Sequence, residues 1–441
     1  MEGGGSAVSA MCAVFIIIHR IVPIDCGASS FLLILSHREF IERCFLSQHS
    51  FNPVKFDPPF ITMDQTYEEE LEGVIDDTDT EVHVCFPVMG DAQILMSALR
   101  YNTTLESLTL SEAGLSDRGV EELSEILLNH RNAIGGLDLD FVCLIGERAI
   151  SALVKVIKNT SKINDLSLSF IAQQKGVERV LRAMADNSSI TKFTFCDTQT
   201  EGNAAAVALG QALEENNALT TLILTRNDWG DEGAKAIASA LEISDSLTRV
   251  SIETDGITDI GFCAIALALK SNGTLTSLEL DFNCIEELPC VDDLFGDNST
   301  LTTLSLNSNK IDDVGAESLF AGLSMNKGLT SLHLNHNNIS CQGMEYLADA
   351  LSHDRTLLYL ELRDNVCGNS GAYSFANCLR SNTTLKTLDL SMDRSITDLG
   401  AEELMRAMTT NSTLQALVIE DCGIVQTVLP VAKRRRTRSR P

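Results

Sequence analysis

Residues 329–340 read LTSLHLNHNNIS, and the same order returns as LTTLSLNSNKID from Leu301, LTSLELDFNCIE from Leu275 and LTTLILTRNDWG from Leu219. Taking the first Leu-type position of each copy as an anchor gives Leu105, Ile134, Ile163, Ile190, Leu219, Leu247, Leu275, Leu301, Leu329, Leu357, Leu385 and Leu414. Successive anchors lie 26 to 29 residues apart. After each anchor comes LxxLxL. In the copy at Leu301, Leu304 and Leu306 alternate with polar Ser305, the period of a strand with one buried face. Asn follows at Asn227, Asn283, Asn309, Asn337 and Asn365, where an amide can satisfy turn backbone.

The second half of each unit changes period. Gly119, Leu123 and Leu127 are spaced by four, as are Gly315, Leu319 and Leu323, and Gly343, Leu347 and Leu351, which puts each set on one helical face. Glycine at the start of that face lets neighbouring backbones approach closely. Ser116, Asp117, Asp231, Thr258, Asp312, Ser340 and Thr397 are expected caps. One strand plus one helix cannot bury its own apolar side, but stacked copies can. Helices are about 10 Å wide and strands about 4.8 Å apart, so the stack must curve. The expected fold class is α/β, a solenoid of about 12 repeats of ~28 residues, with the parallel sheet concave and the helices convex.

The pattern resembles the ribonuclease-inhibitor-like leucine-rich repeat, a horseshoe, and is similar to the repeat arrays of NOD-like receptors and Ran GTPase-activating proteins. The resemblance covers roughly residues 82–424. It implies a protein-binding scaffold. Its alternative implication is activation of a Ran-type small GTPase, though those proteins carry an acidic tail where this chain has a basic one. Leu95 and Leu99 continue the helical register upstream, so a partial copy is expected near Val82. Phe193 and Phe195 replace Leu in a degenerate copy, and Pro289 falls where the helix of the short Leu275 copy should begin, predicting a loop or distorted helix.

The chain has 441 residues with 61 acidic and 33 basic side chains, a net charge of −28. Such a chain repels nucleic-acid phosphate and favours basic protein partners. The tail KRRRTRSRP contributes Lys433, Arg434, Arg435, Arg436, Arg438 and Arg440 without an acid, leaving −34 on residues 1–432. It reads as a nuclear-localisation-like signal, a nucleic-acid or phospholipid contact, a tether folding back on the acidic face, or a flexible end. Residues 1–62 are expected to be a poorly structured extension, and residues 63–81 an acidic segment with nine acids and no base from Asp64 to Glu81. Residues 425–441 form the basic tail. The apolar run Ala10–Ile18 lacks a positive flank and is too short to span a bilayer. Thirteen Cys without CxxC pairs are expected to be reduced thiols of a cytoplasmic or nuclear protein. Eight N-x-S/T sequons, at Asn102, Asn159, Asn187, Asn272, Asn298, Asn338, Asn382 and Asn411, follow the repeat and are read as part of it.

The chain has no GxxxxGK[ST], HExxH or GxSxG motif, so the reading is of no catalytic residue, cofactor or metal. His333 and His336 are too few for a metal site. The candidate surface is the exposed side of the sheet. Asp138, Asp140, Asp165, Glu253, Glu279, Asp281, Glu361, Asp389 and Glu420 flank the buried Leu positions there, opposed by Lys192, Arg249 and Arg363. Tyr359 is the aromatic expected to anchor a contact. This predicts recognition of a protein with a basic surface.

Overall fold

The computed structural model describes residues 80–85, 92–111, 115–129, 131–171, 174–196 and 203–425. All lie in the compact unit Glu69–Pro441. The expectations for residues 1–79 and for the tail Lys433–Arg440 lie outside the described residues.

Thirteen strands occur among the described residues: β1 (Glu81–Cys85), β2 (Ser107–Ser111), β3 (Gly136–Leu144), β4 (Asp165–Ile171), β5 (Lys192–Cys196), β6 (Thr221–Thr225), β7 (Arg249–Glu253), β8 (Ser277–Glu279), β9 (Thr303–Ser305), β10 (Ser331–His333), β11 (Tyr359–Glu361), β12 (Thr387–Asp389) and β13 (Ala416–Val418). They pair in sequence order into one parallel sheet whose ends do not meet. Between them run α1 (Ala92–Leu99), α2 (Asp117–Leu127), α3 (Glu147–Asn159), α4 (Gln174–Arg182), α5 (Ala204–Glu215), α6 (Gly230–Ile243), α7 (Asp259–Leu269), α8 (Val291–Asp297), α9 (Asp313–Leu323), α10 (Cys341–His353), α11 (Gly368–Leu379) and α12 (Asp398–Met408). The partial copy near Val82 is therefore real: β1 pairs with β2 in register, and Leu95 and Leu99 are buried.

Equivalent residues meet across every ladder. Leu304 pairs with Leu332, Leu332 with Leu360, and Leu360 with Leu388. All four are buried, each contributing about 1.5–3 kcal/mol by leaving water. Phe193 and Phe195 occupy the same core positions, fully buried and stacked with ring centroids 5.9 Å apart.

Polar side chains bind one repeat to the next. Thr191, Thr220, Thr248, Thr276, Thr302 and Thr330 each donate Oγ1 to a carbonyl of the preceding repeat at 3.0–3.2 Å. The turn Asn residues do more. Nδ2 of Asn227, Asn283, Asn309, Asn337 and Asn365 donates to the preceding repeat at 2.7–3.0 Å. Oδ1 of the last four accepts the main-chain N–H of Ile257, Ile285, Ile311 and Ile339. A second row holds the other end of each unit. Asn187, Asn216, Asn272, Asn298, Asn382 and Asn411 accept the anchor N–H at 2.7–2.9 Å. The same residues donate to carbonyls at the end of the helical segment one repeat back. Five of the eight sequon asparagines thus belong to this row. Asn102 is a sixth, accepting from Leu105 N at 2.8 Å. Asn159 and Asn338 are the exposed ones.

The caps divide in two. Ser116, Thr258, Asp312 and Ser340 accept first-turn N–H groups of their own helices, as expected. Asp117 and Asp231 instead lie inside the first turn and reach forward: Asp117 accepts Gly146 N, and Asp231 accepts Thr258 N and Gly261 N. Thr397 stands at an N-cap but makes no cap bond, because Asn369 Oδ1 takes Gly400 N. The shared cause is the close approach of successive helices. A Cβ on Gly343 would sit 2.6 Å from Asp313 Oδ1 and 2.9 Å from Ala316 Cβ.

The repeat after β8 is irregular, as Pro289 predicted. Its helix α8 spans 7 residues, and Asp259 Oδ1 accepts from Glu286, Glu287 and Leu288 N–H groups before it. Here the expectation of reduced thiols fails for one pair. Cys263 and Cys290 lie 27 residues apart, one repeat, which brings their Cα atoms to 5.2 Å, and they form a disulfide. Cys367 and Cys378 are buried free thiols, and burial pushes Cys378 up to about 12.

Candidate functional site

Side chains that alternate with the buried Leu residues form rows across the exposed face of the sheet. In one row Glu279 neighbours Ser305, then His333, Glu361 and Asp389. The row beside it runs through Lys192, Thr221, Arg249 and Ser277 to Tyr359 and Thr387. All the proposed face residues are half-buried or exposed. Several of the charges on it are engaged in a way that spacing did not reveal.

Among the described ion pairs, three of these acids hold a basic side chain. Asp165 pairs with Lys192 at 2.9 Å, Glu279 with Arg249 at 2.9 Å, and Glu361 with His333 Nδ1 at 3.0 Å. Asp281 is saturated by other donors: Ser305 Oγ at 2.6 Å, Asn307 N at 2.8 Å and Asn307 Nδ2 at 3.0 Å. It begins a ladder in which Asn307 Oδ1 accepts Asn335 N and Asn335 Oδ1 accepts Arg363 N. Glu253 accepts from Ser251 Oγ at 2.6 Å. Among the described residues no Lys, Arg or His side chain pairs with Asp138, Asp389 or Glu420. Asp389 does accept Ser391 N. Arg363 turns to the sheet rim, with Nε 2.8 Å from Met392 Sδ.

His333 sits between two partners, Ser331 Oγ at Nε2 (3.0 Å) and Glu361 at Nδ1, while Asn335 Nδ2 steadies the same carboxylate oxygen at 2.8 Å. The Glu361 hydrogen bond raises the His333 pKa against the opposing effect of burial, and the charges of Asp281 and Glu279 add to the rise. The same bond lowers that of Glu361. Carboxylate, imidazole and hydroxyl thus stand in the order used for acyl transfer. The main-chain N–H groups of Ser331 and Leu334 are committed to Thr302 and Glu361 carbonyls, so neither can stabilise an oxyanion.

His336 is exposed in the turn after β10 and pairs with Asp364 at 2.8 Å. Beside these groups Tyr359 is 45% exposed, and Phe282 at the rim is 58% exposed. Phe282 escaped the sequence reading because it occupies a turn position, held at φ 57, that Ser308, His336 and Asp364 fill elsewhere. No described helix is long and apolar enough to cross a membrane.

The Leucine Rich repeat family model matches residues 101–124, 215–238, 297–320, 326–348 and 381–405. No curated protein matches the chain. Among solved structures, the chain is similar to one from the crystal structure of the Rad7 and Elc1 complex in yeast, at 16% identity over 78% of this chain and 83% of that one, with a TM-score of 0.46. It is similar to an internalin (inlF) from Listeria monocytogenes, at 20% identity over 79% and 88%, TM-score 0.43. A third similarity is to leiomodin-1 actin-binding site 2, at 22% identity over 39% and 87%, TM-score 0.27.

Proposed function

We propose that this leucine-rich repeat protein is a non-catalytic scaffold that docks a partner with a basic surface on the exposed face of its sheet, at strands β11 to β13. A helix in nearly every unit supports the ribonuclease-inhibitor-like type. The observation that carries the docking site is the state of the acids. Asp165, Glu279 and Glu361 are paired and Asp281 is saturated, whereas no described cationic side chain pairs with Asp389 or Glu420, which follow half-exposed Tyr359 in the next two repeats. A basic side chain arriving there gains an unpaired carboxylate and an aromatic ring, the combination that concentrates binding energy. Asp138, also without a described cationic partner, extends the same sign of potential toward β3.

The test is affinity capture with the full chain, followed by direct affinity measurement on the partner recovered. Asp389→Lys with Glu420→Lys should weaken binding at least tenfold, and Tyr359→Ala should weaken it similarly. Lys192→Ala, remote on β5, should leave it unchanged. Equal binding by all variants would refute this placement. Acceleration of GTP hydrolysis by a Ran-type GTPase would replace the scaffold reading with its alternative.

A further inference from the structure

The turn ladder has one rung of different chemistry. Where neighbouring repeats place Asn227 and Asn283, the repeat of β7 places Asp255, 2% exposed. Its Oδ1 accepts Asn227 N, and its own N–H donates to Asn283 Oδ1. Its second oxygen, Oδ2, is buried without a hydrogen-bond partner. The amide rungs show what is missing. Asn227 Nδ2 donates to Phe195 O, and Asn283 Nδ2 to Ile252 O. Phe195 pairs with Leu224 and Leu224 with Ile252, so Leu224 O is the corresponding acceptor for position 255. A carboxylate cannot donate to it, but a carboxylic acid can.

We infer that Asp255 is a proton-held rung: its protonated carboxyl donates to the Leu224 carbonyl and closes the ladder, and its deprotonation loosens the turn from Arg226 to Gly230. That turn is poised to loosen, because Arg226, Asp228 and Gly230 all hold positive φ and Gly230 N is tied to Asp255 O. Burial, with the nearby Asp228 charge adding to it, raises the carboxyl to about 7 against the N–H groups of Asn227, Asp228 and Trp229. From the other packed elements, Asn227 and Asn283 are uncharged and Asp231 is committed to Thr258 and Gly261. Glu253 is held by Ser251 on the exposed face. Asp393 is the internal control. It is a buried rung whose two oxygens both accept, from Gly368 N and from Ser395 N, so its ionised form is provided for.

The chain carries its own probe, since its single tryptophan, Trp229, is buried in this turn. Unfolding of the full chain by denaturant, followed by Trp229 fluorescence at pH 5, 6, 7 and 8, compares the wild type with Asp255→Asn. An Asn restores the regular rung and does not titrate. The unfolding constant of the wild type should rise relative to the variant by about tenfold per pH unit from 5 toward 7, then level off. Asp393→Asn should keep the wild-type profile over that range. A wild-type to Asp255→Asn ratio independent of pH overturns the inference, as does an Asp255→Asn chain that is less stable than wild type at pH 8.

Discussion

A single turn asparagine does work that its neighbour cannot share. Asn337 is buried and joins Leu306 O to Ile311 N, while Asn338 beside it is exposed. Asn337→Ala should cost about 1–3 kcal/mol, because it strands buried backbone groups, and Asn338→Ala should stay within about 0.5 kcal/mol. Chemical denaturation of the two variants checks this. His333 and Glu361 make a second prediction. Raised His333 contributes stability that is present below its ordinary value of 6.5 and is lost as pH climbs through the folded value. Lowered Glu361 contributes stability present above its ordinary 4.5 and lost as pH falls. Glu361→Gln should therefore destabilise most between those values, by under about 1 kcal/mol since the pair is partly exposed, and less at pH 9 or pH 3. Thermal melts across that range measure it.

At the scale of the element, the helices are spaced by glycines and tied by forward-reaching caps. Alanine favours a helix interior over glycine by about 1 kcal/mol, yet Gly343→Ala should destabilise by about 1–3 kcal/mol. The added methyl meets Ile339 Cγ2 and Asp313 Oδ1 at 2.6 Å, and Asp313 is held there by Ser340 N and Gly343 N. A denaturation midpoint above wild type would contradict the packing argument. Irregular α8 illustrates how an element's sequence announces a break without showing its repair. Pro289 is legible as an interruption. That Asp259 would cap three consecutive N–H groups and that Cys263 would join Cys290 depends on the neighbouring repeat.

For the whole molecule, the dominant electrostatic fact is a net charge of −28. The ion pairs that offset it are mostly half-exposed and individually worth about 0–1 kcal/mol. Screening should therefore relieve more repulsion than it removes attraction, and Tm should rise between 10 and 300 mM NaCl. A falling Tm would mean that the surface pairs matter more than the overall charge. The same balance favours docking of a basic partner most strongly at low salt.

Much of this protein was written locally. The LxxLxL period gave the strands, the four-residue spacing gave the helices, and the fixed repeat length dictated parallel stacking in register, because an apolar side repeated every ~28 residues has only its copies to bury against. Even the exposed face could be drawn from alternation. Tertiary structure alone decided which of its acids remain unpaired. Asp281 and Asp389 look alike in sequence, but one is enclosed by Ser305 and Asn307 while the other accepts only Ser391 N among the described hydrogen bonds. Alternation fixes where a side chain points, whereas its partner comes from a strand 24 to 30 residues away and from the side chains that happen to stand there.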